Sequence, residues 1–462
     1  MTISNEVLRS EWLDRIDQAL KNAEKAEKEL SYVSVCGSER ARKLSGSYYT
    51  PIDVARFFWN EFFQHSRLTG TSQAAKFVNQ HKFIEPSVGA GALFFALLER
   101  LVVAGLSPVQ LSQIDAELVD INQHALMFIR KNVGELERKL GVTFSNLRYS
   151  CVDFREANFS REEKPIVFFG NPPFVKNTNG APTWKNLFAD FLDKCVRDVG
   201  EKGSVHLVLP ISIAFSRDYR ALRRSLKARP RMIALSHFDN IPDTLFKSGK
   251  PLHNNSNKAN SQRCSILTLL PSDKQIVLST KLHRWSKRDR HKILGQSPEY
   301  LNVTDYGFDD QFPRPSNQQI LRYLTGIEKT VSFRDLVQKP GKYKLYVAGV
   351  ARNYIGIREH VGRGVHEFRF NRQVDFFSAL YLITSDLFQD YWLTIGDGFH
   401  VTKSNILDFP LSEDLLERLH RDHRKIKRIW DKREKFSKFK LNSGIPTASY
   451  DFSGVVPSLY LG

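Results

Sequence analysis

The sequence predicts an α/β fold in which a mostly parallel sheet carries helices on both faces. Three observations predict it. From about residue 48 to 271, short apolar runs alternate with amphipathic ones, the pattern of strand–helix–strand units. The first apolar run, "KFIEP", leads into "SVGAGAL", a glycine turn between strand and helix, where open parallel sheets hold their ligands. Finally, "RCSILTLLP" follows "RMIALSHF" with no helix between them, which predicts a closing antiparallel hairpin.

Element by element, the pattern begins with residues 10–30, where Leu13, Ile16 and Leu20 share a helical face among charges, so an N-terminal helix is expected. "KFIEP", "QIDAELVDI", "LRYSCVDF", "PIVFFGNPP", "SVHLVLP" and "RMIALSHF" read as strands. "LFFALLERLVVAG", "NQHALMFIRKNV", "WKNLFADFLDKCVRDVG" and "RDYRALRRSL" read as the helices between them. Residues 247–262 are rich in Asn, Ser and Lys and read as a functional or disordered loop. "KLHRWSKRDRHK" (281–292) reads as a basic linker. The expected domains are residues 1–275 and a mixed second domain, 276–462. The last clear element is a helix over 415–440, with eleven Lys/Arg against four Asp/Glu.

Charge narrows the function. The 462 residues carry 68 Lys/Arg against 50 Asp/Glu, a net charge of +18. Such a surface points to a polyanion, nucleic acid being the commonest; the alternative is a generally basic surface. The longest apolar stretch, Leu93 to Leu106, is interrupted by Glu99 and Arg100 and is too short to span a bilayer. The N-terminus lacks an apolar signal core, and Cys36, Cys151, Cys195 and Cys264 are scattered without Cys-x-x-Cys spacing. A cytoplasmic protein with reduced thiols and no zinc or disulfide framework is expected. His420 and His423 lack a nearby acid or Cys cluster and read as solvated helix surface, so no metal is expected.

Chemistry is sought at the strand ends. Gly89 and Gly91 let the first turn lie close to a ligand. Phe94 occupies the place of the third glycine of the nicotinamide fingerprint. Asp120, in "VDIN", either accepts both hydroxyls of a ribose or caps the next helix. Asp153, in "CVDF", either accepts from an adenine amino group, with Phe154 over the ring, or is an ordinary turn acid beside a core Phe. The fourth strand ends in Asn171, Pro172, Pro173 and Phe174. Neither proline has an N–H for a ladder, so this end is a stiff polar turn with a flat ring beside it.

In these residues the chain resembles the N6-adenine-specific DNA methyltransferases that use S-adenosyl-L-methionine, whose hallmark is Asp/Asn-Pro-Pro-aromatic. "GSYYTPIDVARFF" (46–58) resembles the family's Tyr-Tyr-Thr-Pro segment, "EPSVGAGAL" its cofactor turn, and residues 191–226 its next helix, strand and helix. Thr-Pro segment, cofactor turn and tetrapeptide come in the gamma order. The likeness covers about 45–271; residues 392–411 are a weaker echo, and Phe174 stands where Tyr is commoner. It implies a methyltransferase Rossmann-like sheet over 1–275 and a target-recognition, DNA-binding domain over 276–462. It also implies cofactor contacts from Tyr49, Thr50, Glu85, Pro86, Gly89, Gly91, Asp120, Asp153 and Phe154. Duplex DNA is the expected substrate, and a separately encoded restriction endonuclease is a candidate partner in restriction-modification or related host defence.

The tetrapeptide suits amine methylation. An adenine amino lone pair is delocalised into the ring, so acceptors aimed at its hydrogens localise it. The Asn171 side-chain oxygen and the Pro172 carbonyl are such acceptors, held rigid by proline. A duplex adenine must first be flipped out. Phe174 would stack on it, with Phe246 giving an edge contact or serving as hairpin core. The same turn serves RNA or a protein glutamine amide, and a non-catalytic defence subunit could keep the fold. No Asp/Glu-x-Lys follows Pro242-Asp243, so nuclease activity of that type is not expected.

Overall fold

The structure, a computed structural model, describes residues 5–33, 50–159, 162–177, 183–246, 262–306, 310–327, 331–338, 340–442 and 445–460. Tyr49 and all of the 247–262 loop except Gln262 lie outside them. The chain forms two compact units. One runs to Leu278 and resumes over His283–Thr304; the other takes Ser279–Leu282 and everything from Asp305.

The first unit is built on a nine-stranded sheet. Its strands are β1 (Lys82–Glu85), β2 (Asp115–Asp120), β3 (Leu147–Cys151), β4 (Ile166–Gly170), β5 (Ser204–Pro210), β6 (Arg231–Phe238), β7 (Cys264–Pro271), β8 (Ile276–His283) and β9 (Leu301–Asn302). Their spatial order is β3-β2-β1-β4-β5-β7-β6-β8-β9. From β3 through β5 every pairing is parallel, while β7 lies antiparallel between β5 and β6. The expected α/β sheet with its antiparallel hairpin is therefore present. The order runs outward from β1 to β3 and then restarts at β4. This reversal opens a crevice at the carboxyl ends of β1 and β4, the position where doubly wound sheets take ligands.

Every residue of β1, β4 and β5 is buried, as strands covered on both faces require. The cover comes from α1 (Asn5–Val33), α2 (Ile52–His65), α3 (Ala92–Val103), α4 (Gln123–Leu140) and α5 (Leu187–Asp198). Helix α1 extends past the expected 10–30 at both ends and buries Ile16, Leu20 and Ala23. Pro51 sets the start of α2, whose Phe57, Phe58, Trp59 and Phe62 are buried. Within this aromatic layer His206 of β5 bonds the Phe58 carbonyl (2.7 Å) and Thr268 (2.9 Å), and burial drives its pKa down to about 3. It is a neutral core histidine.

The expected basic linker over 281–292 is not one. Residues 276–283 are strand β8, and α6 (Arg290–Gly295) follows. Two of its basic residues are held by acids, Arg284 by Asp239 at 2.6 Å and Arg290 by Asp53 at 2.6 Å, while Lys281, Lys287 and Arg288 are exposed. By composition the stretch is a basic linker; in the fold it is strand and helix, with part of its charge paired to acids.

The second unit contains a five-stranded antiparallel sheet with spatial order Val365–Phe370, Tyr343–Ala348, Ile357–Arg358, Ile445–Tyr450, Ser437–Asn442. Two of its helices are α7 (Gln373–Thr384) and α8 (Glu413–Trp430). Helix α8 ends ten residues before the expected 440. Its buried stripe of Leu415, Leu419 and Ile426 closes at Trp430, whose ring meets Phe376 edge-on at 5.7 Å. Beyond it the pattern switches to the period-two "SKFKLN", which pairs with 445–450 as a hairpin. Arg421, Arg424, Lys425 and Arg428 remain exposed on α8. His420 is half-buried and faces Asp375 at 3.3 Å, and among the described residues no metal-binding group of His, Cys, Asp and Glu occurs.

Candidate active site

The crevice at the strand ends is built first by the turn after β1. Glu85 and Pro86 are buried at the strand end, and the backbone then turns through Gly89 (φ 53°) and Gly91 (φ 87°). A Cβ at Gly91 would lie 2.4 Å from Ile129 Cδ1, so packing and conformation both require glycine there. The Gly89 N–H donates to Asp120 Oδ2 (2.9 Å) and the Asn122 N–H to Asp120 Oδ1 (2.8 Å). Asp120 is not the cap of α4. That role belongs to Asn122, whose side chain accepts from His124 N at 3.0 Å. Burial pushes the Asp120 pKa up, against the pull of those backbone N–H groups. Glu85 is 2% exposed, and its Oε2 has no hydrogen-bond partner among the described residues. Burial, and then the charge of Asp120, push the Glu85 pKa well above the usual carboxylate range.

Two residues not singled out by the sequence pattern stand beside Asp120. Ile121 is 74% exposed and Val152 is 43% exposed. They directly follow the paired ends Asp120 and Cys151, so two apolar side chains stand in solvent at neighbouring strand ends. One signal points to them: each is apolar and directly follows the last residue of its strand. Asp153 is gripped by Arg155, whose Nε lies 3.0 Å from Oδ1, and the guanidinium holds its pKa below the usual range. Phe154 is 1% exposed and packs among Phe159, Phe168 and Phe191, the last at 5.1 Å.

The tetrapeptide stands at the end of β4, across the crevice from the glycine turn. A Cβ on Gly170 would lie 3.4 Å from Pro86 Cδ, so the two turns are in contact. Ser87 Oγ donates to the Asn171 main-chain carbonyl at 3.2 Å. Asn171 Nδ2 donates to Thr50 Oγ1 at 3.3 Å, joining the segment before α2 to the same point. Pro172 is buried and Pro173 half-buried. The Phe174 ring, 8% exposed, meets Phe188 and Phe246 edge-to-face, both at 6.3 Å, with an interplanar angle of 86° to Phe246. Phe246 is 4% exposed and offers Phe174 an edge rather than a parallel face.

Arg290 places Phe246. Its guanidinium, 7% exposed as a residue, reaches the Leu245 carbonyl (2.8 Å), the Thr244 carbonyl and Asp53 in the first turn of α2. The loop before Phe246 is thus pinned to the helix that follows Thr50. Nothing in a run of basic residues distinguishes this arginine. Thr50, Glu85, Pro86, Gly89, Gly91, Asp120, Asn171, Phe174 and Phe246 are therefore linked through a few bonds, whereas Asp153 and Phe154 are engaged by Arg155 and the aromatic core.

No known family profile matches the chain, and no curated protein matches it. Among solved structures it is similar to the DrdV–DNA complex, with 15% identity over 71% of this chain and 38% of that one, TM-score 0.47. It is similar to a nuclease-deletion mutant of the Type ISP restriction-modification enzyme LlaGI in complex with a DNA substrate mimic (12% identity, 83% and 55% coverage, TM-score 0.47). A further similar structure is the type I restriction-modification system methyltransferase subunit from Streptococcus thermophilus (14% identity, 54% and 54% coverage, TM-score 0.35). The chain spans about two fifths of the first and about half of the other two.

Proposed function

We propose that the chain is a site-specific DNA methyltransferase that moves the methyl group of S-adenosyl-L-methionine to N6 of an adenine swung out of duplex DNA. One observation carries this reading. Asn171-Pro-Pro-Phe174 lies at the sheet's switch point, tied by Ser87 to the glycine turn and by Thr50 to the segment before α2.

The residues present fit that cofactor. Asp120, which accepts backbone N–H groups on both oxygens, keeps further acceptor capacity for ribose hydroxyls, and exposed Ile121 and Val152 suit a purine ring. Glu85 offers a buried acceptor for an ammonium group. When bound, S-adenosyl-L-methionine supplies an electrophilic methyl on a sulfonium. The chain's part is to prepare the nucleophile. The Asn171 amide oxygen and the Pro172 carbonyl draw the two amine hydrogens, localise the lone pair and fix its direction. No base needs to remove a proton before attack. Phe174 stacks on the flipped ring, and Phe246 limits where that ring slides.

The second unit supplies target recognition in this reading, with the exposed arginines and lysine of α8 on DNA phosphates, so affinity falls steeply with salt. Restriction-modification or related host defence, with a separately encoded endonuclease, is the setting that follows. Incubation with labelled cofactor and unmethylated genomic DNA, with RNA and protein as parallel acceptors, tests the proposal. N6-methyladenine in DNA is expected; label in RNA or protein alone, or in no acceptor across varied salt, overturns it.

A further inference from the structure

We infer that Phe439 is a DNA contact of the second unit: its ring lies against the bases, while the lysines that precede it lie on the phosphates. This rests on, and deepens, the DNA-binding part of the function proposed above. An aromatic side chain gains more from leaving water than a smaller apolar one. Phe439 is nevertheless 77% exposed, and among the described side chains no other Phe, Trp or Tyr is exposed.

The fold holds the ring out rather than leaving it loose. Ser437–Asn442 is the edge strand of the five-stranded sheet and pairs with Ile445–Tyr450, Ser437 opposite Tyr450 and Phe439 opposite Ala448. Side chains alternate along a strand, so Tyr450, Ala448 and Phe439 share one face. At its inner end that face is packed: Tyr450 is 4% exposed and meets Trp430 at 6.0 Å and Phe452 at 6.1 Å. Two pairs further along, Phe439 and Ala448 are both exposed. Arg358 donates to the Ala448 carbonyl, which steadies the partner strand at that point. Aromatic packing thus anchors one end of the hairpin face, and a bare ring marks the other.

The charge around it selects the occupant. Lys432, Lys435 and Lys438 are exposed, and none of them has an ion pair among the described residues. The acids of the same stretch are engaged, Asp431 with Lys427 at 2.7 Å and Glu434 with the Tyr450 hydroxyl at 2.9 Å. These lysines follow directly on the exposed basic residues of α8, Arg421, Arg424, Lys425 and Arg428. A protein partner is a poor match, because stable interfaces bury about 800 Å² on each side around an apolar core. One ring and one alanine in a lysine-rich stretch do not make such a core. A base needs a single ring to stack on, Phe is among the side chains that wedge between duplex base steps, and unpaired lysines suit the adjoining phosphates.

The test is the affinity of the full chain for a fluorescein-labelled, mixed-sequence duplex, measured by anisotropy across a range of salt. Phe439→Ala is expected to weaken binding about 5- to 100-fold, the loss of one stacked ring. The slope of log affinity against log salt should stay as in the parent, because no phosphate contact is removed. Lys438→Gln should instead lower that slope by about one. Phe439→Trp should retain affinity, and saturating DNA should quench its added indole emission, taken as the difference from the parent. At such an exposed position Phe439→Ala should leave the urea-unfolding midpoint where it was. Undiminished affinity in Phe439→Ala, a slope change like that of Lys438→Gln, or no indole quenching each overturn the inference. So does sedimentation in which Phe439→Ala splits a dimer, since the face would then serve a second copy of the chain. A protein that binds DNA through Phe439 yet methylates no acceptor would defeat the enzymatic reading alone; a methylating enzyme whose DNA affinity ignores Phe439 would defeat this inference alone.

Discussion

Strand β1 carries a buried ionisable group at each end, and the two are treated in opposite ways. Lys82 opens the strand with no exposure, and its ammonium sits 3.0 Å from Glu117 and 2.5 Å from Glu162. Glu85 closes the strand at 2% exposure, yet its Oε2 meets no partner among the described residues, and the charge acting on it is the like-signed Asp120. The difference teaches where this fold finishes its own electrostatics and where it leaves them open. A chain under no other demand would bury an acid only with a partner. Open valence at the carboxyl end of the sheet, beside a proline turn with fixed acceptors, is what a site awaiting a ligand looks like.

The largest effect belongs to the open end. In the proposed reaction Asn171→Ala removes one of two acceptors for the amine, and the rate of methyl transfer should fall at least 10²- to 10³-fold, about 3–4 kcal/mol of barrier. Cofactor affinity, measured by calorimetry, should stay within a few-fold. Full activity would show that the proline turn is structural and would erase the contrast between the two ends.

At the closed end the expected effect is on stability alone. Lys82→Met leaves Glu117 and Glu162, both mostly buried, facing each other without their shared cation. A loss of about 3–5 kcal/mol in urea unfolding at neutral pH is expected. A further buried acid sharpens the scale. Glu61, 1% exposed, accepts from the Tyr300 hydroxyl, and burial raises its pKa from 4.5 to about 7 despite that bond. Because the folded state holds this proton more tightly, Glu61 favours folding fully below pH 4.5, and that contribution is lost as pH rises through about 7. The shift is worth up to about 3 kcal/mol. Glu61→Gln should flatten this part of the stability profile between pH 5 and 8; an unchanged slope would show that one hydrogen bond suffices to settle a buried acid here.

Much of this architecture is legible in the sequence alone. Strands β1 to β7 stand where the apolar runs put them; β1, β4 and β5, buried throughout, must be largely apolar, and glycine, proline and polar residues gather at strand ends. The turn residues are legible for the same reason: only certain residues can make those backbones. What the sequence hides is tertiary. Arg290 looks like any other basic residue until Asp53 and two carbonyls close around it. The end of α8 is hidden because a run of lysines masks the change from helical to alternating period after Trp430. Resemblance alone puts Thr50 at the cofactor, whereas its hydrogen bond to Asn171 depends on two segments that only the sheet brings together.

The smallest expected effect tests the comparison most closely, because it predicts opposite signs in two measurements on one variant. Glu85→Gln keeps the shape of the side chain and removes its ability to ionise. In the free protein that ability is a liability: with the pKa raised, stability is lost as pH climbs towards the folded value, so the glutamine variant should equal or exceed the parent at the alkaline end. Binding should move the other way. If the buried carboxyl receives an ammonium group of the cofactor, it gives up its proton on binding, and affinity in the parent rises with pH. The variant has no proton to release, so its affinity should be about tenfold weaker at pH 8 and flat with pH. Calorimetry in two buffers of different ionisation enthalpy counts the proton directly. Were Glu85→Gln instead to destabilise the fold as Lys82→Met is expected to, the carboxyl would have a structural partner after all, and the two ends of β1 would be alike.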